Sequence, residues 1–355
     1  MNDKKFTQEG AEGAHLYQAA GGIAVHHHGL TYAEAKDLIL TTVERSFADL
    51  SAQALIVAKA RAEEMTSQYL SGIAAKNPNL VEAVEDPGIQ LALLAAQKEF
   101  IKTGDTDLGK LLTSMLVERT GQPQRTMLQI TLDESLPVAG KLTNSHVKII
   151  LLSFLINNLL RGTIFSLAQL EGYFEKYIKP LVPFLSKSRT VYEHLFAVNC
   201  AHTPTTLRHF LETYIRRYPG LLNRGFNPQQ RKLNHPYLLD KVKYPLIFTT
   251  CLHNKQNIQI NAANEQMLLF AVGEYNLSTD AIDELKFLLN ELVFDIDEAA
   301  DYFRTYGSYM QDLMVAWDNT QFSQLNLNNI GKVIAIAAYQ VEFDEPLRFN
   351  IWIDE

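Results

Sequence analysis

TYAEAKDLILTTVERSFADLSAQALIVAKARAEEMTSQYLSG, residues 31–72, runs for about forty residues without a proline and meets its first glycine at Gly72. Thr31 and Glu34 form a capping-box pattern, in which hydroxyl and carboxylate satisfy the first-turn amides. Behind them Leu38, Ile39, Val43, Phe47, Leu50, Ala54, Val57, Ala58, Arg61, Met65 and Tyr69 recur at steps of three and four. That period is the stripe of an amphipathic helix. Read as one continuous helix, the stretch would be about 60 Å long, with a small-residue middle that lets a second helix approach closely. Helices of this length pack against partners, often copies of themselves. The alternative is a long helix folded back on its own domain.

Upstream, MNDKKFTQEGAEG (1–13) is polar and is expected to be disordered. HLYQAAGGIAVHHHGL (15–30) then reads as two short extended pieces turning at Gly21-Gly22. A lone hairpin is marginal in water, so it must dock on its own domain or pair with copies of itself. Residues 14–75 therefore read as a hairpin-and-helix oligomerisation module. Gly21, Gly22, His26, His28, Leu38, Val43, Phe47 and Leu50 are the residues expected at a homo-oligomer contact. His26 and His28 would share a strand face, where a metal or stacking between subunits is conceivable.

Downstream the punctuation is helical. Asn77-Pro78 breaks the first helix, and Asp86-Pro87 caps the next with proline at its first position. Helices are expected over 105–119, about 123–138 and 146–160, with Thr143 as the cap of the last, and over 170–178 behind a Ser166/Gln169 capping box. Residues 76–185 read as one helical subdomain and 186–355 as a second. The second includes helices at about 190–198, 206–217, 264–272, 279–292, 296–317 and 329–340. Its 218–261 region is irregular, rich in Pro and Gly around the apolar run 246–252. The ending LRFNIWI (347–353) alternates like a strand and is expected to pair with that run. The fold class is mainly α, with a few short strands.

Composition bounds the function. Of the 355 residues, 47% are apolar and 20% charged, which supports a large core and argues against disorder. The net charge of −8 disfavours general coating of nucleic acid, though not a local patch. Two cysteines make no disulfide scaffold, and the chain opens without an apolar signal segment, so a reducing cytoplasm is expected. The longest apolar run, 149–160, holds Asn157 and Asn158 and at twelve residues is too short to span a bilayer, so no membrane partner is expected.

Two constellations carry candidate chemistry. Cys200-Ala-His202 and Cys251-Leu-His253 are both C-x-H; on extended chain each pair points to one face, and together they would make a structural Zn²⁺ site. Against this, buried cysteines serve as small hydrophobes, so no cofactor is the first expectation and zinc the second. Arg208, Arg216, Arg217, Arg224, Arg231 and Lys232 crowd 25 positions that hold one acid, Glu212, with Tyr214, Tyr218 and Phe226 interleaved. Arginine planes and aromatic faces suit a nucleotide or a single strand. Arg216-Arg217 at a helix C-terminus also has the ordinary reason of complementing the helix dipole. The acid pairs Glu63-Glu64, Asp295/Asp297 and Glu298/Asp301 read as solvated faces. No nucleophile elbow, zinc-protease, phosphate-loop, dinucleotide or kinase motif is present, so no catalytic residue is assigned.

QAAGGIAV (18–25), GLTYAEAKDLI (29–39), HLFAVNC (194–200), YPGLLNRGF (218–226), CLHNKQNIQINAANEQML (251–268), NNIGKVIAIA (328–337) and FNIWI (349–353) together resemble one bacterial family of functionally uncharacterised proteins, over essentially the whole chain. The Gly-rich opening also resembles N-terminal modules of other bacterial proteins, several of them in anti-phage systems. That resemblance implies self-association, a protein partner encoded nearby and a role in defence, and carries over no catalytic residue. The leading expectation is a non-enzymatic interaction or sensor protein. A nucleotide- or nucleic-acid-binding sensor or enzyme using 208–232, and a structural zinc protein, are the alternatives.

Overall fold

A computed structural model describes residues 30–47 and 50–353. The expected disordered start and the hairpin, with Gly21, Gly22, His26 and His28, lie outside the described residues.

The chain is mainly α-helical. The helices are α1 (Tyr32–Ser46), α2 (Ala52–Lys76), α3 (Pro87–Thr103), α4 (Thr106–Thr120), α5 (Met127–Ala139), α6 (Asn144–Asn157), α7 (Leu167–Tyr173), α8 (Arg189–Ala197), α9 (Phe210–Arg217), α10 (Glu265–Val272), α11 (Thr279–Glu291), α12 (Ile296–Arg304), α13 (Ser308–Asn319) and α14 (Asn329–Phe343). Among the described residues four short strands, β1 (Ala201–His202), β2 (Phe248–Thr250), β3 (Ile258–Ile260) and β4 (Asn326–Leu327), pair as two antiparallel ribbons, β1–β4 and β2–β3. Among the described residues, no helix is long and apolar enough to cross a membrane.

Local chemistry sets three helix starts where the sequence reading placed their caps. Thr31 Oγ1 accepts from Glu34 N at 3.3 Å, while the Glu34 carboxylate accepts from Thr31 N at 2.9 Å. Asp86 Oδ1 accepts from Ile89 N ahead of Pro87, and Thr143 caps α6. The run 149–156 is buried on every side, which is why it has no polar face: it is a core helix. It packs with α4 and α5 around α14, whose Ile330 and Val333–Tyr339 are buried. This main core draws on residues from Ala35 to Ile353. A second apolar cluster joins Phe226, Leu238, Tyr244, Ile247 and β2–β3 to α10 and α11.

Four sequence expectations are corrected. The forty-residue helix is two, because Ser51 caps a new helix by accepting from Ala54 N at 3.4 Å. The stripe then folds back on itself. Lys36–Glu63 at 2.9 Å and Lys59–Glu44 at 2.8 Å fix α1 and α2 antiparallel, and Val43 packs with Ala58, Ala62 and Ile101. Leu38 and Phe47 are half-buried and Leu50 is exposed. The helix expected over 296–317 breaks into α12 and α13 at Gly307, whose φ of 131° side chains rarely adopt. The helix expected from Thr206 begins only at Phe210, leaving 203–208 as a loop. The C-terminal strand is instead a 3₁₀ turn, Phe349–Ile351, with Phe349 and Ile353 in the main core; the 246–252 run pairs with β3.

Candidate anion-binding cleft

The ribbon β1–β4 is held by short-range devices. Asn199, at φ 60°, turns the chain out of α8 into β1, a conformation that asparagine tolerates better than most residues. Asn328 caps α14 by accepting from Gly331 N and donates Nδ2–H to Asn199 O at 2.7 Å. Gly331 lets the ribbon sit directly on α14: a Cβ there would lie 2.0 Å from Cys200 O. On the ribbon's exposed side His202 Nε2 and Asn326 Nδ2 are 2.9 Å apart, the amide donating to the ring nitrogen.

Beside this ribbon the loop 203–208 and α9 close a cleft of about 660 Å³, with Asn157 at the end of α6 and Trp317 of α13 in its wall. His209 starts α9 by accepting from Leu211 N on Nδ1 at 3.2 Å, and its Nε2 faces Asp318 at 3.4 Å. Burial holds the His209 pKa below its ordinary value against the pull of Asp318, which keeps Nδ1 an acceptor. Thr213, Arg216 and Arg217 follow at i, i+3 and i+4, one face of α9, and all three line the cleft together with Arg208. No carboxylate lines it.

The three arginines differ in what they are free to do. Arg217 donates to Ile156 O and Asn157 O at 2.8 Å and to Leu159 O at 3.3 Å, closing the C-terminal carbonyls of α6. Arg216 pairs along its own helix with Glu212 at 2.6 Å. Arg208 is exposed and forms no ion pair among the described residues.

The rest of the basic stretch lies elsewhere. Arg224 donates Nε–H to Glu298 at 2.7–2.8 Å and pairs with Asp295 at 2.9 Å. Its hydrogen bond holds the Glu298 carboxyl below the usual range. Arg231 pairs with Glu291, and Lys232 is exposed outside the cleft. The interleaved aromatics are core: Tyr214, Tyr218 and Phe226 are 1%, 2% and 6% exposed. Sequence position made them look like stacking faces, but the spacing Tyr214–Tyr218 is a helix turn facing inward.

The four Cys and His residues are not gathered into a tetrahedral site. Among the described residues, no group of three or more His, Cys, Asp or Glu is placed to hold a metal ion. Cys200 is buried in the main core, and burial pushes its thiol up to about 12. His202 faces Asn326. Cys251 Sγ donates to Asn223 O at 3.5 Å, and His253 donates Nε2–H to Leu221 O at 2.7 Å while packing on Phe294 and Tyr302.

Sequence reasoning missed the polar wall of the cleft, Asn157, Asn326 and Thr203, Thr205 and Thr206. The run HTPTTLR (202–208) carried a signal, since three threonines and a proline make poor helix. It also missed a half-buried cluster outside the cleft. Arg161 stacks over Tyr177 at 4.6 Å and Tyr339 at 5.5 Å and donates to Glu345 at 3.2 Å. Lys176 and Tyr177, supplied by a π-helical turn at Phe174–Ile178, reach Glu345 at 2.6 and 2.8 Å, and Tyr339 OH donates to it as well. Partial burial pushes the Glu345 carboxyl up, but hydrogen bonds from Lys176, Tyr339, Tyr177 and Arg161 outweigh it and hold the group at about 2.

One family model, described as ":-like", matches residues 29–353. The chain belongs to that family. The family is uncharacterised, in line with the resemblance carried by the motifs between 29 and 353. No curated protein and no solved structure matches the chain.

Proposed function

We propose that the protein is a non-enzymatic sensor or interaction protein of the cytoplasm that binds a phosphate-bearing ligand in the cleft between β1–β4 and α9. The observation that carries this reading is a wall with three arginines and no carboxylate in a chain whose net charge is −8. Local positive potential against an acidic background concentrates anions, and the planar arginine fork matches phosphate geometry. Arg208 and Arg216 are the ligand-facing pair, while Arg217 holds the floor. Titration of the full chain with phosphorylated compounds, followed by calorimetry, tests the reading. Binding that Arg208→Ala weakens by roughly 10- to 100-fold supports it, as expected for loss of a charge-assisted hydrogen bond. Binding unaffected by Arg208→Ala and Arg216→Ala together removes it.

Self-association through residues 14–75 is a second reading, favoured by apolar side chains left outside at the α1–α2 bend. Leu50, Ile56 and Val57 are 40%, 62% and 42% exposed. Light scattering on Ile56→Glu/Val57→Glu and on a chain lacking residues 1–30 tests it; a mass equal to that of the unaltered protein for both sinks it. A role in defence against phage, with a partner encoded nearby, rests on the resemblance of the Gly-rich module alone. Its test is whether deleting the coding sequence changes phage plating on the host.

A further inference from the structure

The sequence pattern of the 208–232 stretch promised a stacking platform, and the fold withdraws it. Bases bind single-strand and nucleotide sites largely through exposed aromatic faces. In this cleft the tryptophan in the wall, Trp317, is 5% exposed and packs edge-on against Phe322 and tilted against Phe210, and the exposed His202 ring is held by the Asn326 amide. Tyr214 and Tyr218 lie beneath α9 in the main core.

What the wall does present is hydroxyls and amides. Thr203, Thr205, Thr206, Asn157 and Asn326 join the arginines there. A hydroxyl both donates and accepts, and an amide offers two donors and an acceptor. That set matches a ligand covered in hydroxyls, and beyond the arginine planes and the His202 ring it offers no face to a flat ring. The volume, about 660 Å³, lies in the usual range for small-ligand sites and leaves room beyond a bare phosphate.

We infer that the cleft takes a small phosphorylated sugar or polyol, its phosphate on Arg208 and Arg216 and its hydroxyls on the threonine and asparagine wall, rather than a ligand recognised by its base. This rests on the phosphate-binding reading above and narrows it. The Arg208 end fixes the anion; the Asn157–Asn326 side sets how many hydroxyls are counted.

Calorimetry on the full chain with four probes separates the cases: inorganic phosphate, ribose 5-phosphate, AMP and a twelve-nucleotide oligo(dT). The expected result is ribose 5-phosphate binding at least about tenfold tighter than inorganic phosphate. AMP then binds within about threefold of ribose 5-phosphate, because the base adds no contact. Thr206→Val and Asn326→Leu, both at exposed positions, then weaken ribose 5-phosphate but leave inorganic phosphate unchanged. AMP or oligo(dT) binding more than about tenfold tighter than ribose 5-phosphate would overturn the inference and leave the phosphate cleft standing. Equal affinities for phosphate and ribose 5-phosphate would overturn it too. Failure of all four probes would remove the cleft reading itself. Unchanged thermal unfolding of each variant keeps folding out of the comparison.

Discussion

Arg161 and Arg208 set two regions of the molecule against each other. Arg161 lies over the rings of Tyr177 and Tyr339 and donates to Glu345, so its charge is answered by a carboxylate and two aromatic faces of the protein itself. Arg208 lines an open cleft whose wall holds two more arginines and no acid. The same guanidinium is spent on structure in one place and kept available in the other. Internal partners, rather than burial alone, separate the two, since Arg224 is as exposed as a ligand-binding arginine would be and yet is engaged by Glu298 and Asp295.

The contrast can be broken by mutation. Glu345→Ala removes the acceptor shared by Arg161, Lys176, Tyr177 and Tyr339 and leaves those donors facing one another. A loss of about 2–3 kcal/mol in urea unfolding is expected, with cleft binding unchanged. Arg217→Ala comes next: it strips the carbonyls of residues 156, 157 and 159 of their donor and should cost about 1–2 kcal/mol. Any loss of ligand affinity in that variant should then follow the loss of α6's end, not of charge.

The pH profile sharpens the same point. Glu345 titrates near 2 in the folded protein, below the value of about 4.3 for a free glutamate. Between those values the unfolded chain binds the proton first, so stability rises with pH across that window and is fully present above it. Unfolding midpoints measured from about pH 2 to 6 should show this slope in the unaltered protein and a shallower one in Glu345→Gln. Smallest of all is the stability effect of Arg208→Ala, expected within about 0.5 kcal/mol. A larger loss would mean that Arg208 has a structural partner after all, and the comparison would fail.

What the sequence made legible was local. The caps at Thr31, Asp86 and Thr143 depend on residues three apart, and each forms as read. The arginines at 208, 216 and 217 fall within one loop-helix unit, so their convergence followed from spacing. The bend after α1 was hidden because apolar steps of three and four continue on both sides of it, with no glycine or proline to mark the change; Ser51 was the available sign. Asn157 and Asn326 reach the cleft only through packing of α6 and β4 against distant elements. Arg161 and Glu345 meet across 184 positions, a separation no local pattern encodes. Tyr214 and Tyr218 misled for a related reason, since adjacency to arginine says nothing about which way a ring turns.

Gly331 bears on how the cleft can respond. At Gly331 the wall meets α14 backbone to backbone, the Cys200 carbonyl occupying the space a Cβ would fill. A side chain can swing to a new rotamer and widen a space; two touching main chains cannot. The ribbon is thus a firm wall at that point, backed by a helix buried over Val333–Tyr339, while the facing loop 203–208 has no ladder to anchor it. Under the proposed binding, size selection would belong to the ribbon, and entry and exit to the loop.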